Sequence, residues 1–77
     1  MNKTRKKSIE VICEKLTELS ELLGDIGTDE ENYRDNMPEN LQGGRRYEES
    51  EIASFHMQDA IECIVLARGR LKPTLKE

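Results

Sequence analysis

Residues 35–44 read D-N-M-P-E-N-L-Q-G-G, and this stretch decides the fold, because a proline and a glycine pair interrupt there a chain whose apolar residues otherwise recur at helical spacing. Met37 precedes Pro38, and the proline ring crowds the residue before it out of the helical region, so a helix arriving from upstream ends at about Asn36. Pro38 suits a first helical position, Asn36 stands near free backbone N–H groups, and Glu39 is favoured by the helix dipole. One short turn over Pro38-Gln42 is therefore expected. Gly43 and Gly44 are expected to supply backbone angles that other residues reach only with strain. The stretch is a corner.

Upstream of the corner, Ile9, Ile12, Leu16, Leu19, Leu23 and Ile26 alternate steps of three and four, and Tyr33 keeps the phase. That is the seam of an amphipathic helix. Thr4 or Ser8 can cap its start through a hydroxyl, which predicts a helix over about 8–36. Gly24 and Gly27 each weaken a helix interior by about 1 kcal/mol relative to alanine, and Thr28-Asp29-Glu30-Glu31 has the form of a capping box. Two readings follow, a helix continuous across the glycines or a break with restart at Thr28. The seam keeps its phase across them, which favours the continuous or kinked helix.

Downstream, Ala53, Met57, Ala60, Ile61, Ile64, Ala67 and Leu71 form the central stripe of a second helix over about 45–71, which Pro73 stops because proline cannot continue the hydrogen-bond ladder. A short tail, 72–77, follows. The Leu/Ile-rich seam and the alanine-rich stripe are expected to face each other in an antiparallel hairpin. The fold class expected is all-α: one domain, an antiparallel two-helix hairpin with its corner at 37–44.

A second apolar set lies off these stripes. Ile52, Phe55, Cys63 and Leu66 cluster away from the centre of the second helix, and Val11 and Leu22 lie off the first seam. A two-helix hairpin cannot bury both faces. The chain has 77 residues, and a chain of about 60 residues buries only about 60% of its unfolded surface, so association is the natural supplement to a thin core. These six residues are the candidate oligomer or partner interface, with a homodimer forming a four-helix bundle as the leading arrangement. A surface for a different protein, or simple exposure, are the alternatives.

Charge is unevenly spread. The net charge is −4, yet eight of the twelve Lys and Arg residues lie near the termini, whereas residues 25–51 hold nine acids against Arg34, Arg45 and Arg46. Folding the chain back on itself makes one end basic and the other acidic. Arg68, Arg70 and Lys72 complement the dipole at the end of the second helix. Lys3, Arg5, Lys6 and Lys7 sit at or before a helix start, where positive charge is unfavourable. These seven residues define a candidate patch for phosphates or an acidic partner, against the plainer reading of a frayed, solubilising tail. No aromatic is interleaved for base stacking.

Little in the chain resembles catalytic machinery. His56, the one histidine, has Asp59 and Cys63 at later helical positions and Glu49 two turns earlier, but Cys63 is about 10.5 Å along the helix, and zinc-type spacings are absent. The acidic pairs Glu30/Glu31 and Glu48/Glu49 read as solvated surface, and Gly43-Gly44 lacks the strand and lysine of a phosphate-binding loop. No catalytic residue, metal or cofactor is expected. Cys13 and Cys63 are read as free thiols of a reducing compartment, and no membrane span or secretory signal is expected, which points to the cytoplasm.

The corner, Tyr33-Arg34-Asp35-Asn36-Met37-Pro38-Glu39-Asn40-Leu41-Gln42-Gly43, resembles a segment of small uncharacterised bacterial and phage proteins, in which an aromatic, D-N-M-P-E, a leucine and a glutamine precede a long amphipathic helix. Met57, Ala60, Ile61 and Ile64 resemble the apolar positions of that helix, so the likeness spans roughly 30–67. Gly44-Arg45, in place of a Ser-Glu pair, and Ser54, in place of an aliphatic residue, depart from it. The resemblance implies a helical hairpin in a bacterial or mobile-element setting and supplies no activity. The functional expectation is a non-enzymatic protein-protein interaction module, an accessory or regulatory protein, with antagonism of a host defence system as one form of that role. The alternative is a nucleic-acid-binding accessory protein that uses the basic tip.

Overall fold

The computed structural model describes residues 1–76. Helix α1 runs Lys3–Asp35, a 3-10 turn covers Glu39–Leu41, helix α2 runs Arg45–Leu71, and a second 3-10 turn, Lys72–Leu75, folds back against α1. The expected all-α antiparallel hairpin is the observed architecture, with no strand among the described residues. A 33-residue helix is about 50 Å long, and the molecule is accordingly a rod of 60 × 15 × 13 Å.

Helix α1 starts earlier than Thr4 or Ser8 would place it. Asn2 is the cap, its side-chain oxygen accepting from the Arg5 backbone N–H at 2.8 Å. The helix is continuous through Gly24 and Gly27. Thr28 does not restart it, since its hydroxyl donates to the Gly24 carbonyl at 3.1 Å and remains inside the helix.

The corner is held by a chain of short-range bonds. The Met37 N–H donates to the Arg34 carbonyl (3.0 Å), Leu41 N–H to Pro38 (2.8 Å) and Gly44 N–H to Leu41 (3.0 Å), while the Gln42 side-chain amide donates to the Met37 carbonyl at 3.2 Å. Pro38 sits just before the 3-10 turn with ψ 144°, outside the helical region, rather than at its first position. No glycine has positive φ, which corrects the expectation for Gly43 and Gly44. Gly44 is required for space instead. It caps α2 in an extended conformation, and a Cβ there would lie 3.1 Å from the Leu41 carbonyl oxygen.

The expected pairing of seam and stripe is displaced by one row. On α1 the half-buried positions are Lys6, Ile9, Cys13, Leu16, Thr17, Ser20, Leu23, Gly24, Gly27, Glu30 and Arg34, whereas Ile12, Leu19, Ile26 and Tyr33 are 47–56% exposed. On α2 the inward positions are Tyr47, Ser50, Ser54, Met57, Ile61, Ile64, Arg68 and Leu71; Ala53 is half-buried, and Ala60 and Ala67 are exposed. The hairpin therefore closes a small-residue row of α1 over the larger side chains of α2. The space over Gly24 and Gly27 is not filled: a cleft between them and Ser54, Met57 and Ile61 stays open on one edge of the joint.

Two arginines cross the joint. Arg34 Nη1 donates to the Ser50 carbonyl (2.9 Å), the Ser50 hydroxyl (3.1 Å) and the Ser54 hydroxyl. Toward the other end, Arg68 Nη1 donates to the Thr17 hydroxyl at 2.6 Å, and Thr17 in turn donates to the Cys13 carbonyl at 3.1 Å. These contacts fix the register of the hairpin. Ser50, 3% exposed, is the one buried residue, and no apolar side chain is buried among the described residues.

Candidate interaction surface

The row displacement sorts the long sides of the rod by chemistry. In an antiparallel helix pair the flank of one helix that lies beside a given edge of the joint meets the corresponding flank of the other. Here one edge brings Tyr33 and Glu30 beside Arg46, Glu49 and Ser50. The opposite edge brings Gly24, Gly27, Thr28 and Glu31 beside Ser54, Met57, Gln58 and Ile61. The first side continues along α1 as Ile12, Leu19, Ile26 and Tyr33, and along α2 as Ala53, Ala60 and Ala67, each row spaced by seven residues. That side is an apolar plane, with the large α1 residues rising beside a low alanine strip. At the corner it opens into an apolar cleft of about 670 Å³ lined by Tyr33, Met37, Pro38, Leu41, Arg45 and Arg46, among others.

The six interface residues expected from the sequence are all exposed, two of them on α1 and four on α2. Leu22 and Cys63 flank the apolar plane. Ile52, Phe55 and Leu66 lie on the outer side of α2, turned away from α1, with Phe55 69% exposed and its ring edge-on to His56 at 5.9 Å. Val11, eleven residues and so about three turns before Leu22, lies on nearly the same line of α1. Sequence reasoning missed the plane itself, because Ile12, Leu19, Ile26 and Tyr33 were assigned to the joint of the hairpin. The row Cys13, Ser20, Gly27 and Arg34, one residue further on and small or hydrogen-bonding at each position, was the available signal.

The basic patch is also redistributed. Lys3, Arg5, Lys7, Arg70 and Lys72 are exposed and Lys6 is half-buried, but Arg68 turns into the joint toward Thr17 and leaves the patch. Because Thr17 stands opposite Arg68, Lys3, Arg5, Lys6 and Lys7 are offset along the rod from Arg70 and Lys72. Among the described residues, no group of three or more His, Cys, Asp or Glu side chains gathers as metal ligands would, and His56 and Cys63 are separate, exposed positions on α2. Cys13 and Cys63 are free thiols. No helix is long and apolar enough to cross a membrane.

Compared with known proteins, the chain matches no family model, no curated protein sequence and no solved structure.

Proposed function

We propose that this chain is a non-enzymatic protein-protein interaction module, an accessory or regulatory protein of bacterial or phage type, of which antagonism of a host defence system is one form. The observation that carries the reading is that the chain leaves its apolar side chains exposed. A compact monomer of 8.9 kDa exposes about 4,800 Å², whereas this rod exposes 6085 Å² and buries no apolar side chain among the described residues. Apolar surface in patches of several hundred Å² marks an interaction site, and Phe55 with Ile52 and Leu66 offers an aromatic anchor on the outer side of α2. The corner's resemblance to phage and bacterial hairpin proteins supports the setting.

The test is capture from a bacterial lysate on tagged chain, repeated with Phe55→Asp and Ile52→Asp/Leu66→Asp. A stoichiometric partner retained by the native chain and lost by both variants, at unchanged helix content, is the expected result. No stoichiometric partner, together with a monomer by light scattering, would sink the reading. A second reading, nucleic-acid binding, is favoured by the basic cluster of Lys3, Arg5, Lys6 and Lys7 and weakened by the withdrawal of Arg68. It requires a gel shift at low salt that disappears in Lys6→Glu/Arg70→Glu.

A further inference from the structure

We infer that the apolar plane is covered by a second copy of this chain laid head to tail, so that the basic tip of each hairpin lies beside the acidic corner of the other. The inference rests on the protein-interaction reading and names the occupant of one face, leaving the Phe55 side of α2 free. Two observations carry it, the area and the charge layout.

The surface in excess of a compact monomer is roughly 1,300 Å². A stable interface buries about 800 Å² on each partner, and obligate homodimers bury more. The plane of Ile12, Leu19, Ile26, Tyr33 and the alanine row is a long apolar side open to such an interface.

Two hairpins can meet face to face with like ends together or with opposite ends together. The charges beside the plane distinguish these arrangements. At the tip half they are Arg5, Lys15 and Arg70; at the corner half they are Asp29, Glu30 and Glu49, with two exceptions, Arg46 and Arg45, the latter paired with Glu49 at 3.0 Å. Like ends together would set Lys15 near Arg70 of the other copy, whereas opposite ends together set Lys15 near Asp29. The rows have the symmetry that the second arrangement needs. A two-fold contact requires that if residue i meets j, then j meets i. Lys15 and Asp29 lie seven positions either side of Leu22 on one line, and Ile12 and Leu19 balance Tyr33 and Ile26 about nearly the same level. With the axis there, α1 crosses its own copy, Ile12 covers Tyr33, and Leu19 covers Ile26. This arrangement also gives a use to the basic residues at the start of α1, which helix stability disfavours.

The register supplies a probe of orientation. Thr17 stands opposite Arg68, so Leu22 is level with Cys63, an exposed free thiol flanking the plane. Head to tail, the two Cys63 thiols approach across the axis; with like ends together, each faces the other copy's α1 and the thiols lie on opposite sides of the bundle.

The experiment combines sedimentation equilibrium with cross-linking of the Cys13→Ala chain by a short bis-maleimide. A dimer that cross-links through Cys63 is expected. Lys15→Glu should weaken dimerisation about tenfold, because the altered contact occurs twice per dimer, and adding Asp29→Lys should return it to within about threefold of the native value. Phe55→Asp should leave it unchanged. A native dimer that fails to cross-link at Cys63, or a Lys15→Glu/Asp29→Lys chain no better than the single variant, overturns the head-to-tail arrangement. A monomer at all concentrations overturns the second copy altogether; the protein-interaction reading would then still stand if Phe55-dependent capture persists.

Discussion

At the scale of single residues, the hairpin is held in an unusual way for its size, because its best-buried group is a serine and its cross-helix bonds come from arginines. Arg34 reaches Ser50 twice and Ser54 once. A hydrogen bond from a charged donor contributes about 1.5–3 kcal/mol, and a buried acceptor left unpaired costs a similar amount. Arg34→Ala is therefore expected to destabilise the fold by about 2 kcal/mol, measured by urea unfolding. The cycle with Ser54→Ala should show a coupling of about 1 kcal/mol, and purely additive losses would mean that the contact is incidental. This pair was not legible in the sequence. Reading apolar periodicity passes over Arg and Ser, and nothing in the spacing of Arg34 distinguishes a side chain that crosses the joint from one that points to solvent.

At the scale of elements, the sequence was most informative where local chemistry alone decides the outcome. Helix α2 spans Arg45–Leu71 as Gly44 and Pro73 predict, and α1 continues through its glycines as the unbroken phase predicts. The start of α1 was misplaced because Asn2 caps it at the very beginning of the chain. The joint was misassigned by one row because an apolar seam does not say which of its two flanks closes on the neighbouring helix. The row that closes holds Ser20, Gly24 and Gly27, and the space over both glycines is open. The glycines themselves can be tested. A Cβ at Gly24 or Gly27 meets nothing within 4 Å, so alanine at either position should gain up to about 1 kcal/mol from helix propensity, read as a higher melting temperature. Gly44→Ala should have the opposite effect, losing about 1 kcal/mol, because its Cβ presses on the carbonyl that Gly44 itself bonds and alanine caps a helix poorly. Equal effects at all three positions would contradict the steric role assigned to Gly44.

At the scale of the whole molecule, the decisive fact is that two long helices meet without burying an apolar side chain among the described residues. The Cα radius of gyration is 17.7 Å, against about 11.5 Å for a compact chain of this length. Conformational entropy opposes folding by about 1–2 kcal/mol per residue, and half-buried contacts along a single seam offset it poorly. Stability and association should therefore be one process. If the folded hairpin is completed by another copy, mass action makes the melting temperature depend on protein concentration, because dilution favours the separated, unfolded chains. A roughly hundredfold increase in concentration then adds about 2.7 kcal/mol, which for a domain of this size raises the melting temperature by about 10 °C or more. Circular dichroism melts across such a range measure it directly. Leu19→Glu, which places a charge in the middle of the apolar plane, should lower the melting temperature and leave a smaller concentration dependence, while Phe55→Asp should preserve the native slope. A melting temperature independent of concentration would mean that the hairpin is stable as a single chain, and the exposed plane would then have no part in its folding.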